Sequence, residues 1–142
     1  MEKERSEFWR KWHGRRLGDD GIAVSRSYRG YQTAWVNLLK KMCSRMGARL
    51  CWAVKGHYDE TAMVERGGKY VYIHSVGNVF DRSTPNLKTT LIRTARHERD
   101  YTGGSNDFVA WAYLANAVDR LLGGDGAVED IDLYPVDIMM QY

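Results

Sequence analysis

Between residues 93 and 106 the chain reads RTARHERDYTGGSN. Arg93, Arg96 and Arg99 recur every third residue, His97 sits among them, and Thr102, Gly103, Gly104, Ser105 and Asn106 follow. Guanidinium groups grip phosphate through paired N–H donors. Glycines let a backbone come close to a ligand. Hydroxyls and unpaired N–H groups at a helix start complete an anion cradle. On this reading Arg93, Arg96 and Arg99 contact phosphate. Thr102, Gly103, Gly104, Ser105 and Asn106 supply donors, and Tyr101 or Phe80 stacks on a base. Ser105 or Asn106 would cap the helix with Asp107 in its first turn, where that carboxylate competes with an anion for the same N–H groups. The plainer alternative is a capped turn rimmed by solvated arginines. The segment contains neither GxxxxGK[ST] nor GxGxxG, so it is no P-loop and no dinucleotide fingerprint.

A second candidate surface is the N-terminal FWRKWHGRR, where Arg10, Lys11, Arg15 and Arg16 alternate with Phe8, Trp9 and Trp12. Bases interleaved with aromatics neutralise phosphates and stack on nucleobases. The competing reading is an amphipathic helix whose tryptophans dock on the body under arginine and lysine stems. Catalysis has less behind it. HYDE (57–60) and HERD (97–100) set histidines beside carboxylates, but neither has the second histidine of HExxH, and no metal site or cofactor is expected. Cys43 and Cys51 are too few for a disulfide framework or a zinc site and read as small buried residues. No serine lies in a GxSxG elbow. No catalytic residue is assigned, and the balance leans away from an enzyme.

The RTA, DYTGG and Asn of this stretch resemble a pattern in small uncharacterised proteins of phages and mobile elements. The matching positions are Arg93, Thr94, Ala95, Asp100, Tyr101, Thr102, Gly103, Gly104 and Asn106. The likeness spans residues 70–120 at most and leaves out the basic front and the acidic tail. It brings no known activity. The setting it implies is the cytoplasm of an infected bacterial cell.

The elements that must position these residues follow from periodicity. Tyr31, Trp35, Leu38, Met42 and Met46 make one apolar stripe, which predicts a helix over 31–46 with Gly47 as its C-cap. Residues 17–30, with Gly18, Gly21 and Gly30, read as a loop. The period then falls to two. Strands are predicted over 49–54, 61–66, 69–75 and 90–95, with Gly67–Gly68 as a hairpin turn. Val71 and Ile73 face one way; Tyr70, Tyr72 and His74 face the other. Phe108, Trp111, Ala115, Val118 and Leu122 make the stripe of a closing helix, ended by Gly123 and Gly124. The expected fold is α+β, a three- to four-stranded antiparallel meander flanked by two amphipathic helices in the order α-β-β-β-β-α.

The 142 residues suit one domain, 1–142, with residues 1–30 as a basic arm or short helix and 125–142 as an acidic tail. The tail is open between an edge strand, a dimerisation arm and disorder. The chain is 44% hydrophobic and 27% charged, as in ordinary globular domains. No run of apolar residues is long enough to span a membrane, and the N-terminus lacks the apolar core of a secretory signal. The formal net charge of +3 hides a basic front, residues 1–49, and an acidic back, residues 105–142. The leading expectation is a small binding protein that recognises nucleic acid or a nucleotide through the basic rim and the Gly-Gly helix start. The alternatives are a protein–protein effector acting on a host defence complex, and a homo-oligomer assembled tail to front.

Overall fold

The computed structural model describes residues 21–56, 59–76, 79–80, 86–102, 104–128 and 131–134, with side chains from Arg29 onward. Along them run α1 (Gly21–Met46), β1 (Arg49–Lys55), β2 (Asp59–Arg66), β3 (Lys69–Val76), β4 (Thr90–Ala95), β5 (Asp107–Val109), a 3-10 turn (Trp111–Tyr113) and α2 (Leu114–Leu121). The strands form one antiparallel sheet in the order β1-β2-β3-β4-β5. The α+β architecture is as expected, with five strands rather than three or four.

α1 exists because its stripe has something to cover. Tyr31, Trp35, Leu39 and Met42 are fully buried, against Ala62, Val64, Val71, Ile73 and Ile92 from the sheet and Leu114 and Val118 from α2. Each large side chain so buried contributes about 1.5–3 kcal/mol. Gly47 closes the helix in the left-handed region (φ 66°), and the Ala48 N–H donates to the Cys43 carbonyl at 2.9 Å, a Schellman ending. Residues 21–30, expected as a loop, are helical. Two glycines cost a helix about 1 kcal/mol each, and the packed second half of α1 outweighs that.

The Gly67–Gly68 hairpin forms as expected. Both residues have positive φ, and Arg66 pairs with Lys69 across the turn. Strand alternation then sorts the side chains. The helix-facing side carries the core and a polar chain through it: the Trp35 indole donates to Ser75 Oγ at 3.1 Å, and Ser75 and Thr90 share a hydrogen bond at 3.1 Å.

One expectation at the centre of the sequence reading is corrected. No helix starts at Ser105 or Asn106. Residues 107–109 instead form β5 against β4, with Asp107 opposite Ile92 and Val109 opposite Thr90. The backbone stays extended through Ala110 (φ −72°, ψ 146°) before the 3-10 turn begins. β4 offers a free ladder at this point, and pairing with it satisfies backbone groups that a helix start would leave open. Trp111, Ala115, Val118 and Leu122 of the predicted stripe are buried, whereas Phe108 is half exposed on the sheet.

Near the C-terminal end, Leu133 is buried and its carbonyl accepts the Trp111 indole N–H. The rest of the acidic tail, 129–130 and 135–142, lies outside the described residues, as does the whole N-terminal segment to Asp20. None of the described helices is long and apolar enough to cross a membrane.

Candidate functional site

The helices cover one face of the sheet and leave the other open to decoration. Strand register lays out this outer face in rows. Val54, Thr61, His74, Leu91 and Phe108 sit opposite one another across all five strands. The next row is Trp52, Met63, Tyr72 and Arg93, and beyond it lie Arg49, Glu65, Tyr70 and Ala95. A bulge between Leu50 and Trp52 shifts the register of β1 and lets Leu50 reach the core while Trp52 joins the outer face.

The loop 96–106 folds back over the second row. The Trp52 indole donates to the Glu98 carbonyl at 2.6 Å, and its ring lies 5.9 Å from Tyr101 and 6.2 Å from Tyr72. Met63, in the same row, is fully buried. Arg93 holds the loop's far end: its guanidinium lies 4.6 Å from the Tyr72 ring centre, donates to the Tyr101 carbonyl at 2.6 Å and to Asn106 Oδ1 at 3.3 Å. Burial raises the Tyr72 hydroxyl above its ordinary pKa, and the adjacent Arg93 charge only partly opposes this.

Asp100 organises the turn from inside. It is buried, and its carboxylate accepts from the Arg96 backbone N–H at 2.9 Å, Arg96 Nε at 3.0 Å and the Thr102 N–H at 3.2 Å. Gly104 completes the loop with a positive φ (75°), pressed against β4. A Cβ there would collide with the Thr94 carbonyl oxygen.

The proposed phosphate residues are therefore gathered at one loop and the adjoining end of β4, where four of them also make contacts within the protein. Arg93 donates to the Tyr101 carbonyl and the Asn106 amide oxygen, and Arg96 to Asp100. Thr102 donates its N–H to Asp100, and Asn106 accepts from Arg93. Arg96, Arg99, Thr102, Gly104, Ser105 and Asn106 are all exposed, and Gly103 lies outside the described residues. Phe80, expected to stack on a base, is instead core: it is fully buried, 4.8 Å from the Tyr31 ring and 5.7 Å from Trp111. Arg10, Lys11, Arg15 and Arg16 lie outside the described residues.

What stays accessible on the outer face is the first row and its borders. Val54, Val76, Phe108 and Tyr101 are each between 50% and 59% exposed. His74 is the middle residue of this row, and its Nε2 lies 3.2 Å from Asp59 Oδ2. The alternation in β3 pointed to His74, Tyr70 and Tyr72. Val54, Leu91 and Phe108 were missed, because only the register shows that they line up.

Neither thiol is set up as a nucleophile. Burial, reinforced by nearby Cys51, pushes the Cys43 thiol up to about 11. Burial also raises Cys51 despite the opposing charge of Arg49. Among the described residues no three His, Cys, Asp or Glu side chains are grouped to hold a metal ion. No family model matches the chain, and neither the curated proteins nor the solved structures yield a match.

Proposed function

We propose that the protein is a binding protein that docks a partner protein on the open row of its outer sheet face. The observation that carries this reading is the exposure of Val54, Val76, Tyr101 and Phe108 on one side of the sheet. Apolar and aromatic groups gathered on one surface are what protein interfaces select. The polar His74–Asp59 pair in the middle of the row gives such a surface orientation. The resemblance of RTARHERDYTGGSN to mobile-element proteins supports a host protein as the partner. The alternative of an anionic ligand keeps one specific support: Arg96, His97 and Arg99 are exposed on the loop that borders the row.

The test compares proteins retained by the wild-type chain with those retained by Val54→Ser/Phe108→Ser and by Tyr113→Ser. Tyr113 is as exposed as Phe108 but lies on the 3-10 turn. The docking reading expects a protein that survives raised salt, is lost with the double variant and stays with Tyr113→Ser. All three chains should melt within a few degrees of one another, since exposed substitutions cost about 0.5 kcal/mol or less. Retention of the same protein by the double variant would sink the reading. Bound nucleic acid released steeply by salt would move the assignment to the anionic ligand.

A further inference from the structure

The outer face is not the only open surface of the sheet. β1 pairs with β2 on one side, and among the described residues no strand takes its other side. An edge strand of this kind presents a row of backbone N–H and C=O groups that another strand can complete. We propose that the β1 edge takes an extended acidic peptide as a sixth strand.

Charge chooses the occupant. The sequence of β1, RLCWAVK, has a cation at each end and no carboxylate. α1 packs on β1 more than on any other strand. Its sequence likewise holds no carboxylate; of its cations, Lys41 donates to the Asp132 carbonyl and Arg45 lines the cleft with Asp119, while Arg29 and Lys40 are exposed. The strand cations are not tightly neutralised. Arg49 reaches Glu65 and Glu98 only at 3.7 and 3.8 Å with its side chain half exposed, and Lys55 donates to the neutral Thr33 hydroxyl at 3.1 Å. A second copy of β1 would bring the same two cations to the shared edge, and like charges across a strand pair are unfavourable. A nucleic acid could use the charge but not the ladder. The opposite edge is a poorer host, because β5 is only three residues long and carries Asp107. β1 therefore has the length, the open ladder and the sign that peptide addition needs. Its bulge between Leu50 and Trp52 limits regular pairing to Trp52–Lys55, so the acid opposite Lys55 should matter most.

The probe is a displayed library of random peptides about ten residues long, enough to overlap the strand at both ends. It is selected on the full-length protein, and the best sequence is then synthesised. Selected peptides should be rich in β-branched residues and in Asp or Glu. Binding should slow amide exchange in β1 and should weaken about tenfold or more for Arg49→Gln/Lys55→Gln, while Lys55→Arg retains it. Methylating alternate peptide nitrogens, which removes ladder donors without altering the protein, should abolish binding in one of the two phases. Phe108→Ser should leave it unchanged, which separates this surface from the outer-face reading. The proposal fails if the library gives no binder, if the binders lack acids, if both methylated peptides bind as well as the parent, or if protection falls elsewhere than β1. A peptide-independent dimer that protects β1 would assign the edge to a second copy instead.

Discussion

At the scale of single residues, the loop 96–106 is held by groups that looked free for a ligand. Gly104 shows why its residue type matters. Its φ of 75° disfavours any side chain, and Thr94 leaves no room for one. Gly47 has a similar φ of 66° but open space around it. Gly47→Ala should therefore cost about 1 kcal/mol, the strain alone. Gly104→Ala should cost ~2 kcal/mol or more, strain plus displacement of β4. Urea unfolding of both variants checks the difference; equal costs would mean that the loop moves away from β4 freely. Arg93 makes a related case. As a ligand contact, its charge reversal would leave stability untouched. As a tether to Tyr72, Tyr101 and Asn106, Arg93→Glu should lower stability by about 1–3 kcal/mol. An unchanged melting temperature would return Arg93 to the list of free cations.

At the scale of elements, the sequence was most legible where one period governs a whole segment. The second half of α1, the hairpin β2–β3 and the inward side of β3 were readable because each residue's position follows from its neighbours. β5 was not readable. Asp107, Phe108 and Val109 alternate over too short a span, and Phe108 also falls in phase with the stripe of α2. Only the unpaired edge of β4, a long-range feature, decides between strand and helix. The helix start expected beneath the anion cradle was misplaced for the same reason, since the ladder continues there. The outer face was half visible: period two placed Tyr72 and His74 there, but the lid over them depends on Trp52 reaching Glu98 across 46 positions of sequence. That contact can be tested at its own scale. Trp52→Phe keeps an aromatic ring, though a smaller one, and removes the donor, so amide exchange in 96–106 should speed up several-fold while β2 and β3 are unaffected, because local opening and global unfolding are separate events. Uniform acceleration across the sheet would show that the loop and the sheet open together.

At the scale of the whole molecule, one cation of the basic front meets the acidic back at a seam across β2. Arg45 of the front and Arg66 of β2 line an open cleft of about 580 Å³ together with Asp119 and Asp125. Arg66 lies 2.8 Å from Asp119 Oδ1 and donates to the Met46 carbonyl, so it ties α1, β2 and α2 together. Burial alone would raise the Asp119 pKa, but the Gly126 N–H at 3.0 Å and Arg66 outweigh it and hold the carboxyl below its ordinary value of 3.8. A carboxylate depressed in the folded state stabilises above the unfolded value. That contribution is lost as pH falls through the folded one. Acid also protonates the other carboxylates and drives the net charge upward from +3, so total stability in acid cannot isolate the seam. The difference between the wild type and Asp119→Asn can. It should be about 2 kcal/mol at neutral pH, the worth of hydrogen bonds to a charged group whose partners are left behind. It should hold down to about pH 4 and close as the pH falls further, because the protonated wild-type side chain then resembles the amide. Urea unfolding of both chains across that range gives the difference directly. A gap that stays constant into acid would mean that Asp119 acts through shape, by filling the turn at Gly124 and Gly126, and that its charge pairing with Arg66 does not hold the seam together.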